Sequence, residues 1–266
     1  MRESDLLRAL APDPADPPAP PSVTLVGVGP GDPNLLTVAA VRAIAMATVV
    51  AYPVARSEAE GMAARIAAPW ITPAQRRLPL LFPMVAEAEP RVAAWHAAAD
   101  ALAAEVMAGQ AVVLLCEGDA SLFASCSYAL LALAKRQSSC PVRVVPGITA
   151  VAAAAAAASS QGLPWPLALQ QEGLLIRPTP ETAAELEPLL DRCAAEGTVL
   201  ALLKLGHRWA WLRPLLERRG LLAQTLFARR VGWPDQLLLP ADQVPGEEQP
   251  YFSLLVIRQA WPVVLP

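Results

Sequence analysis

At 266 residues, 55% apolar and 17% charged, the chain holds material for one large domain or two small ones. Its net charge of −3 argues against a nucleic-acid partner, which would need a basic face. No apolar run nears the roughly 18–20 residues that span a bilayer, so no membrane partner is expected either.

Residues 1–21, MRESDLLRALAPDPADPPAPP, are proline-rich, carry four acids and lack a signal peptide's apolar stretch; they read as a disordered tail. Val23–Val26 is a short apolar strand. Asp32 and Pro33 then supply an N-cap and a first helical residue, which predicts a helix to about Ala47. Thr48–Val54 reads as a second strand and Gly61–Ala68 as a short helix stopped by Pro69. Residues 69–90 hold five prolines and read as loop and short extended pieces. Arg91–Ala108 is an amphipathic helix with Val92, Trp95, Ala99, Leu102 and Val106 on one face, ended by Gly109.

Ala111–Cys116 is an unbroken apolar run of the kind that parallel sheets bury. Leu122–Lys135 reads as helix, Val142–Val145 as strand, and Thr149–Ser159 as a helix with seven consecutive alanines. QGLPWPLA (161–168) interrupts the alternation and marks a boundary between an N-terminal α/β domain, 22–160, and a C-terminal α/β domain, 161–266. Beyond it come a helix at Glu181–Ala195, a strand at Thr198–Leu205 and a helix at Trp209–Arg219. Strands follow at Thr225–Val231, Gln236–Leu239 and Phe252–Arg258, so the second sheet should be mixed or antiparallel.

The cysteines, Cys116, Cys126, Cys140 and Cys193, show no C-x-x-C pair, and only His96 and His207 accompany them. No metal site is expected, and the thiols read as reduced core residues of a cytoplasmic protein.

Three loops share one character: GVGPGD (27–32), EGDASLFAS (117–125) and PGITA (146–150). Each follows a predicted strand, where open α/β sheets place ligands, and each mixes glycine or proline with small polar residues. Such loops let a ligand meet backbone groups directly. Gly27, Gly29 and Gly31, with Pro30 between the last two, do not have dinucleotide-fingerprint spacing, and no acid follows at the distance a ribose would need. Asp32 and Asp119 also stand where helix N-caps would, and Thr149 where it would cap the alanine helix.

GVGPGDPNLLT, EGD with a following Leu-Phe, VVPGITA and the ending PYFSLLVIR together resemble the tetrapyrrole methyltransferases, from Val23 to about Arg258. Connecting text (AYPVAR, EGMAARI, LLFPMV, CEGD, LLK at 202–204, WPDQ at 233–236) is similar to that of members acting on C20 of precorrin-2 in cobalamin biosynthesis. The resemblance implies two α/β domains with the active site in the cleft between them, a homodimer, and S-adenosylmethionine (SAM) as co-substrate. It implies SAM contacts from Pro30, Glu117, Gly118, Asp119, Leu122, Phe123, Ser125, Thr149, Ala150, Leu203, Val231 and Ser253. Gly29, Gly31 and Asp32 would face the tetrapyrrole. Precorrin-2 is a polycarboxylate, so Arg56, Arg76, Arg77, Arg229 and Arg230 are candidate clamps, Arg76 and Arg230 foremost. Asp119 is the candidate base for the proton lost from the methylated carbon.

The second loop departs from the family pattern: Ala120 and Phe123-Ala124-Ser125 stand where relatives carry proline and a Tyr-Ser-Thr-like triplet, so Phe123 lacks a hydroxyl. The alternatives to C20 methylation of precorrin-2 to precorrin-3A are a cobalt-loaded precursor, another corrin carbon, or a weakly active relative that binds tetrapyrrole or SAM.

Overall fold

A computed structural model describes residues 19–56 and 60–263; residues 1–18 of the expected tail lie outside the described residues. Two compact units divide between Thr149 and Ala150. The expected boundary at 161–168 falls later, after the alanine helix, which is counted with the second unit and lies against a strand of it.

The first unit is built on a five-stranded parallel sheet. Its strands are β1 (Ser22–Gly27), β2 (Val49–Val54), β3 (Arg76–Leu81), β4 (Ala111–Cys116) and β5 (Val142–Val145), in the order β3-β2-β4-β1-β5. β4 occupies the centre, and all six residues of AVVLLC are buried, as a strand covered on both faces requires. The helices are α1 (Val38–Met46), α2 (Met62–Ile66), α3 (Ala88–Met107) and α4 (Cys126–Arg136). Ala99 and Leu102 of α3 are buried and Trp95 and Val106 pack against the same core, whereas Val92, expected on that face, is exposed.

The second unit begins with α5 (Ala150–Ser160), where Val151, Ala153, Ala154, Ala155 and Ala158 are buried. Its sheet joins β6 (Gly173–Pro178), β7 (Thr198–Leu203), β8 (Thr225–Arg229), β9 (Leu237–Pro240) and β10 (Ser253–Ile257) in the order β6-β7-β10-β8-β9. Only β6 and β7 are parallel, which makes the sheet mixed, as expected. Helices α6 (Ala183–Ala195) and α7 (Trp209–Arg218) cover one face around a core that includes Leu190, Leu202, Trp209, Phe227 and Leu255.

Several elements differ from expectation for local reasons. The helix expected from Asp32 to Ala47 is two pieces, a 3-10 turn at Pro33–Leu35 and then α1. Asp32 caps only the turn, and Leu36 and Thr37 are extended. The Thr37 hydroxyl then accepts from the Ala40 N–H at 3.1 Å, so the true cap of α1 lies five residues later. α4 likewise starts at Cys126 rather than Leu122, because the preceding loop is held in an irregular path. The prolines of 69–90 conceal β3, an edge strand in which Pro79 is tolerated because its missing donor faces no second partner. β6, also an edge strand, was hidden in the same way by Pro178. Pro90 sits in the first turn of α3, where its missing N–H would have had no helical partner.

Candidate functional site

Parallel strands send all their carboxyl ends to one edge, and β4, β1 and β5 are neighbours. The three glycine loops therefore leave the sheet side by side. Backbone groups join the first two: the Gly29 N–H donates to the Gly118 carbonyl at 3.1 Å and the Gly118 N–H to the Gly29 carbonyl at 2.8 Å. Both glycines have positive φ, +75° and +68°, which side-chain-bearing residues rarely adopt. A Cβ on Gly118 would meet nothing within 4 Å, so the backbone there borders open space.

Beneath this bridge one glycine from each loop packs against the other two. A Cβ on Gly27 would lie 2.7 Å from the Gly118 oxygen and 2.7 Å from the Gly147 nitrogen, and one on Gly147 would be closer still to Gly118. One glycine from each loop thus permits an approach that any larger residue would block.

The third loop is fastened by Asp119. One carboxylate oxygen accepts the Ser121 N–H at 2.8 Å and the Ser121 hydroxyl, and the other accepts the Gly147 N–H at 2.9 Å. Burial acts to raise the Asp119 pKa. The hydrogen bonds from the Ser121 side chain and from the Gly147, Ser121 and Ala120 backbones outweigh it and hold the carboxyl below its ordinary value. The Thr37 hydroxyl adds a long contact of 3.5 Å to the Pro146 carbonyl.

Glu117 behaves oppositely. Burial pushes its carboxyl up, against backbone hydrogen bonds from Glu117 itself and from Ala63 in α2. Behind it Cys116 and Cys126 are both buried; the Cys126 thiol is driven upward by its hydrogen bond with Cys116, by burial and by nearby charge, which makes it an inert core group. Leu122 and Pro30 are half-buried, Gly31 is buried, and Phe123 is exposed with φ +53°. Ser125 is exposed and gives α4 no side-chain cap. Thr149 closes the first unit and Ala150 opens α5 in the second.

In the second unit, antiparallel pairing brings the ends of β7 and β8 and the start of β10 to one edge. Leu203, Arg230, Val231 and Ser253 gather there, with Lys204 and Arg230 both at positive φ, +60° and +47°. The Arg230 N–H donates to the Phe252 carbonyl at 2.8 Å. Its Nε pairs with Asp235 at 2.8 Å, and its guanidinium lies 5.0 Å over the Trp233 ring. Arg230 is therefore held within its own turn.

Arg76 is placed elsewhere. It begins β3, at the amino edge opposite the three loops, and pairs with Glu105 of α3; Arg77 follows it there. Among the described residues no group of His, Cys, Asp and Glu is arranged to hold a metal ion, and no helix is long and apolar enough to cross a membrane.

The residues missed from sequence are Gly27 and Gly147 as packing points and Asp119 as the clasp between loops. The available signal was one glycine at the end of each of the three strands or two residues beyond it.

Over residues 22–243 the chain matches the family model of the Tetrapyrrole (Corrin/Porphyrin) Methylases. It is 34% identical over 240 residues to the cobalamin biosynthesis protein CobIJ of Mycobacterium tuberculosis, covering 87% of this chain but 45% of that one, so the chain spans about half the length of that relative. It is 33% identical to a precorrin-2 C(20)-methyltransferase of Sinorhizobium sp, covering 87% of this chain and 93% of the relative. A cobalt-precorrin-2 C(20)-methyltransferase of Salmonella typhimurium is 30% identical, covering 89% and 95%. Among solved structures, the methyltransferase CobJ shares the fold with a TM-score of 0.62 at 24% identity, covering 90% of this chain and 94% of that one.

Proposed function

This chain belongs to the tetrapyrrole (corrin/porphyrin) methylases, and we propose that it transfers a methyl group from SAM to C20 of precorrin-2, giving precorrin-3A. The observation that carries the reading is the joined set of three loops at one sheet edge: the Gly29–Gly118 bridge and the Asp119–Gly147 clasp present backbone to a ligand with few side chains in between. The names of the Sinorhizobium and Salmonella relatives support C20 as the acceptor.

The residues present fit a bound SAM. Gly118 borders open space that a side chain would otherwise fill, and two buried polar atoms at the second unit's sheet edge have no hydrogen-bond partner among the described residues. When bound, SAM supplies an electrophilic methyl on a sulfonium. Pro30, Glu117, Gly118, Asp119, Leu122, Phe123, Ser125, Thr149, Ala150, Leu203, Val231 and Ser253 are the residues proposed to hold it. Gly29, Gly31 and Asp32 would meet the tetrapyrrole. In-line transfer depends on holding two reactants in line and excluding water; the hydrogen bonds between the loops would serve the first of these. Asp119 is ionised at neutral pH and can accept a proton, although its three hydrogen bonds to Ser121 and Gly147 make holding the loops together its main work.

A cytoplasmic homodimer completes the reading; sedimentation equilibrium returning twice the 28.1 kDa chain mass tests the dimer. The relatives name both a metal-free and a cobalt-loaded substrate at nearly equal identity. The test is therefore anaerobic incubation with SAM and precorrin-2 beside cobalt-precorrin-2, read by mass spectrometry and NMR. One methyl gained at C20 is expected, and the faster substrate identifies the natural form. A methyl at another carbon, or SAM binding with no transfer to either substrate, refutes the assignment.

A further inference from the structure

Arg229 and Ser253 are directly opposed in the register of β8 and β10, so their side chains emerge on the same face of the second sheet. The neighbouring pair on that face, Phe227 two residues before Arg229 and Leu255 two residues after Ser253, belongs to the apolar core under α6 and α7; Arg229 and Ser253 stand where that core gives way to the sheet edge. Ser253 is 3% exposed, and its hydroxyl has no hydrogen-bond partner among the described residues. The Arg229 Nε is also buried without one. The backbone around them is fixed: the Ser253 carbonyl accepts the Leu205 N–H at 3.0 Å, and the Arg230 N–H holds the Phe252 carbonyl at 2.8 Å.

Buried donors of this kind are paired in nearly all folded proteins, because leaving one bare forfeits its hydration with no return. Two on facing positions, one of them part of a cation, describe a ligand group that accepts at two points. Resting on the reading of the protein as a SAM-dependent tetrapyrrole methylase, we infer that Arg229 Nε and Ser253 Oγ together bind a carboxylate of a bound small molecule. Both proposed ligands carry the group: SAM at its amino-acid end, the tetrapyrrole on its side chains. The neighbouring cation does not compete for this role, since Arg230 is already committed to Asp235 and Trp233. A carboxylate suits the site because guanidinium and hydroxyl donors can each take one of its oxygens.

The test is calorimetric titration of the full chain and its Arg229→Gln, Arg229→Lys and Ser253→Ala variants. Three probes are used: S-adenosylhomocysteine, its decarboxylated analogue, and uroporphyrin as a stable tetrapyrrole polycarboxylate. Arg229→Gln is expected to weaken one acid probe at least about tenfold, with Ser253→Ala weakening the same probe less. If S-adenosylhomocysteine weakens while its decarboxylated analogue does not, the carboxylate is that of the methyl donor. If only uroporphyrin weakens, it is that of the acceptor. Ser253→Ala and Arg229→Lys keep the proposal testable should Arg229→Gln fail to fold. Folded variants that bind both acids like wild type overturn it, and the pair then holds water only. A wild-type chain that binds neither S-adenosylhomocysteine nor uroporphyrin removes the methylase reading itself, and this inference with it.

Discussion

Two carboxylates in one loop, two positions apart, are set to opposite tasks by their surroundings. Asp119 accepts hydrogen bonds from two loops, and its pKa is lowered. Its contribution to stability is therefore complete above the ordinary aspartate value of about 3.9 and is lost as pH falls through the lower native value. Asp119→Asn should cost about 1 kcal/mol at pH 7 and weaken S-adenosylhomocysteine several-fold, and the gap from wild type should narrow in acid melts below pH 4. A wild-type-like acid limb in the variant would show that the clasp does not form in solution. Glu117 has a raised pKa, so the native state holds its proton longer than the unfolded chain. That acid lowers stability as pH rises above about 4.3. Glu117→Gln should accordingly raise the melting temperature at pH 8 relative to pH 4.5; an unchanged pH profile would contradict the burial assigned to it. Sequence alone showed two acids in a loop, but the sign of each shift depends on whether burial or the hydrogen bonds folded against it prevail.

At the scale of elements, the glycines after the strands decide whether the loops can meet. Gly147→Ala would drive a Cβ into the Gly118 and Gly27 backbones, which have no flexible end to move aside. A loss of about 1–3 kcal/mol is expected from overpacking, with loss of S-adenosylhomocysteine binding. Gly109 is the control: its φ is +81°, but a Cβ there meets nothing within 4 Å. Gly109→Ala should cost about 1 kcal/mol in backbone strain and leave ligand affinity untouched. Equal loss of affinity in both variants, measured by titration on folded protein, would show that the loop contact is not what binding needs. Element type was legible wherever periodicity ran unbroken, as in α3, β4 and the alanine helix. It failed at β3, β6 and the start of α1. In the two strands an edge position made proline harmless, and in α1 a second cap at Thr37 overrode the first at Asp32.

Across the molecule, the segment that interrupts the helix–strand alternation is tied down by a residue far away in sequence. Arg258, 1% exposed, pairs with Glu172, donates to the Pro166 carbonyl and lies 4.4 Å over the Trp261 ring. Arg258→Ala would strand Glu172, which is 10% exposed, without its partner. A loss of about 3–5 kcal/mol is expected in denaturant unfolding; a change under 1 kcal/mol would mean that water replaces the arginine. The QGLPWPLA stretch thus has its order imposed from the end of β10, a link no local pattern reveals. The sequence by itself determined the α/β class, the mixed second sheet and the family, because hydrophobic period and short glycine motifs are local properties of the chain. Tertiary structure alone decided that Gly27, Gly118 and Gly147 touch, that Asp119 fastens two loops, that Arg76 lies at the opposite sheet edge, and that Arg229 faces Ser253. Each of these depends on strand order and register, which are set by long-range pairing and burial rather than by neighbours in the chain.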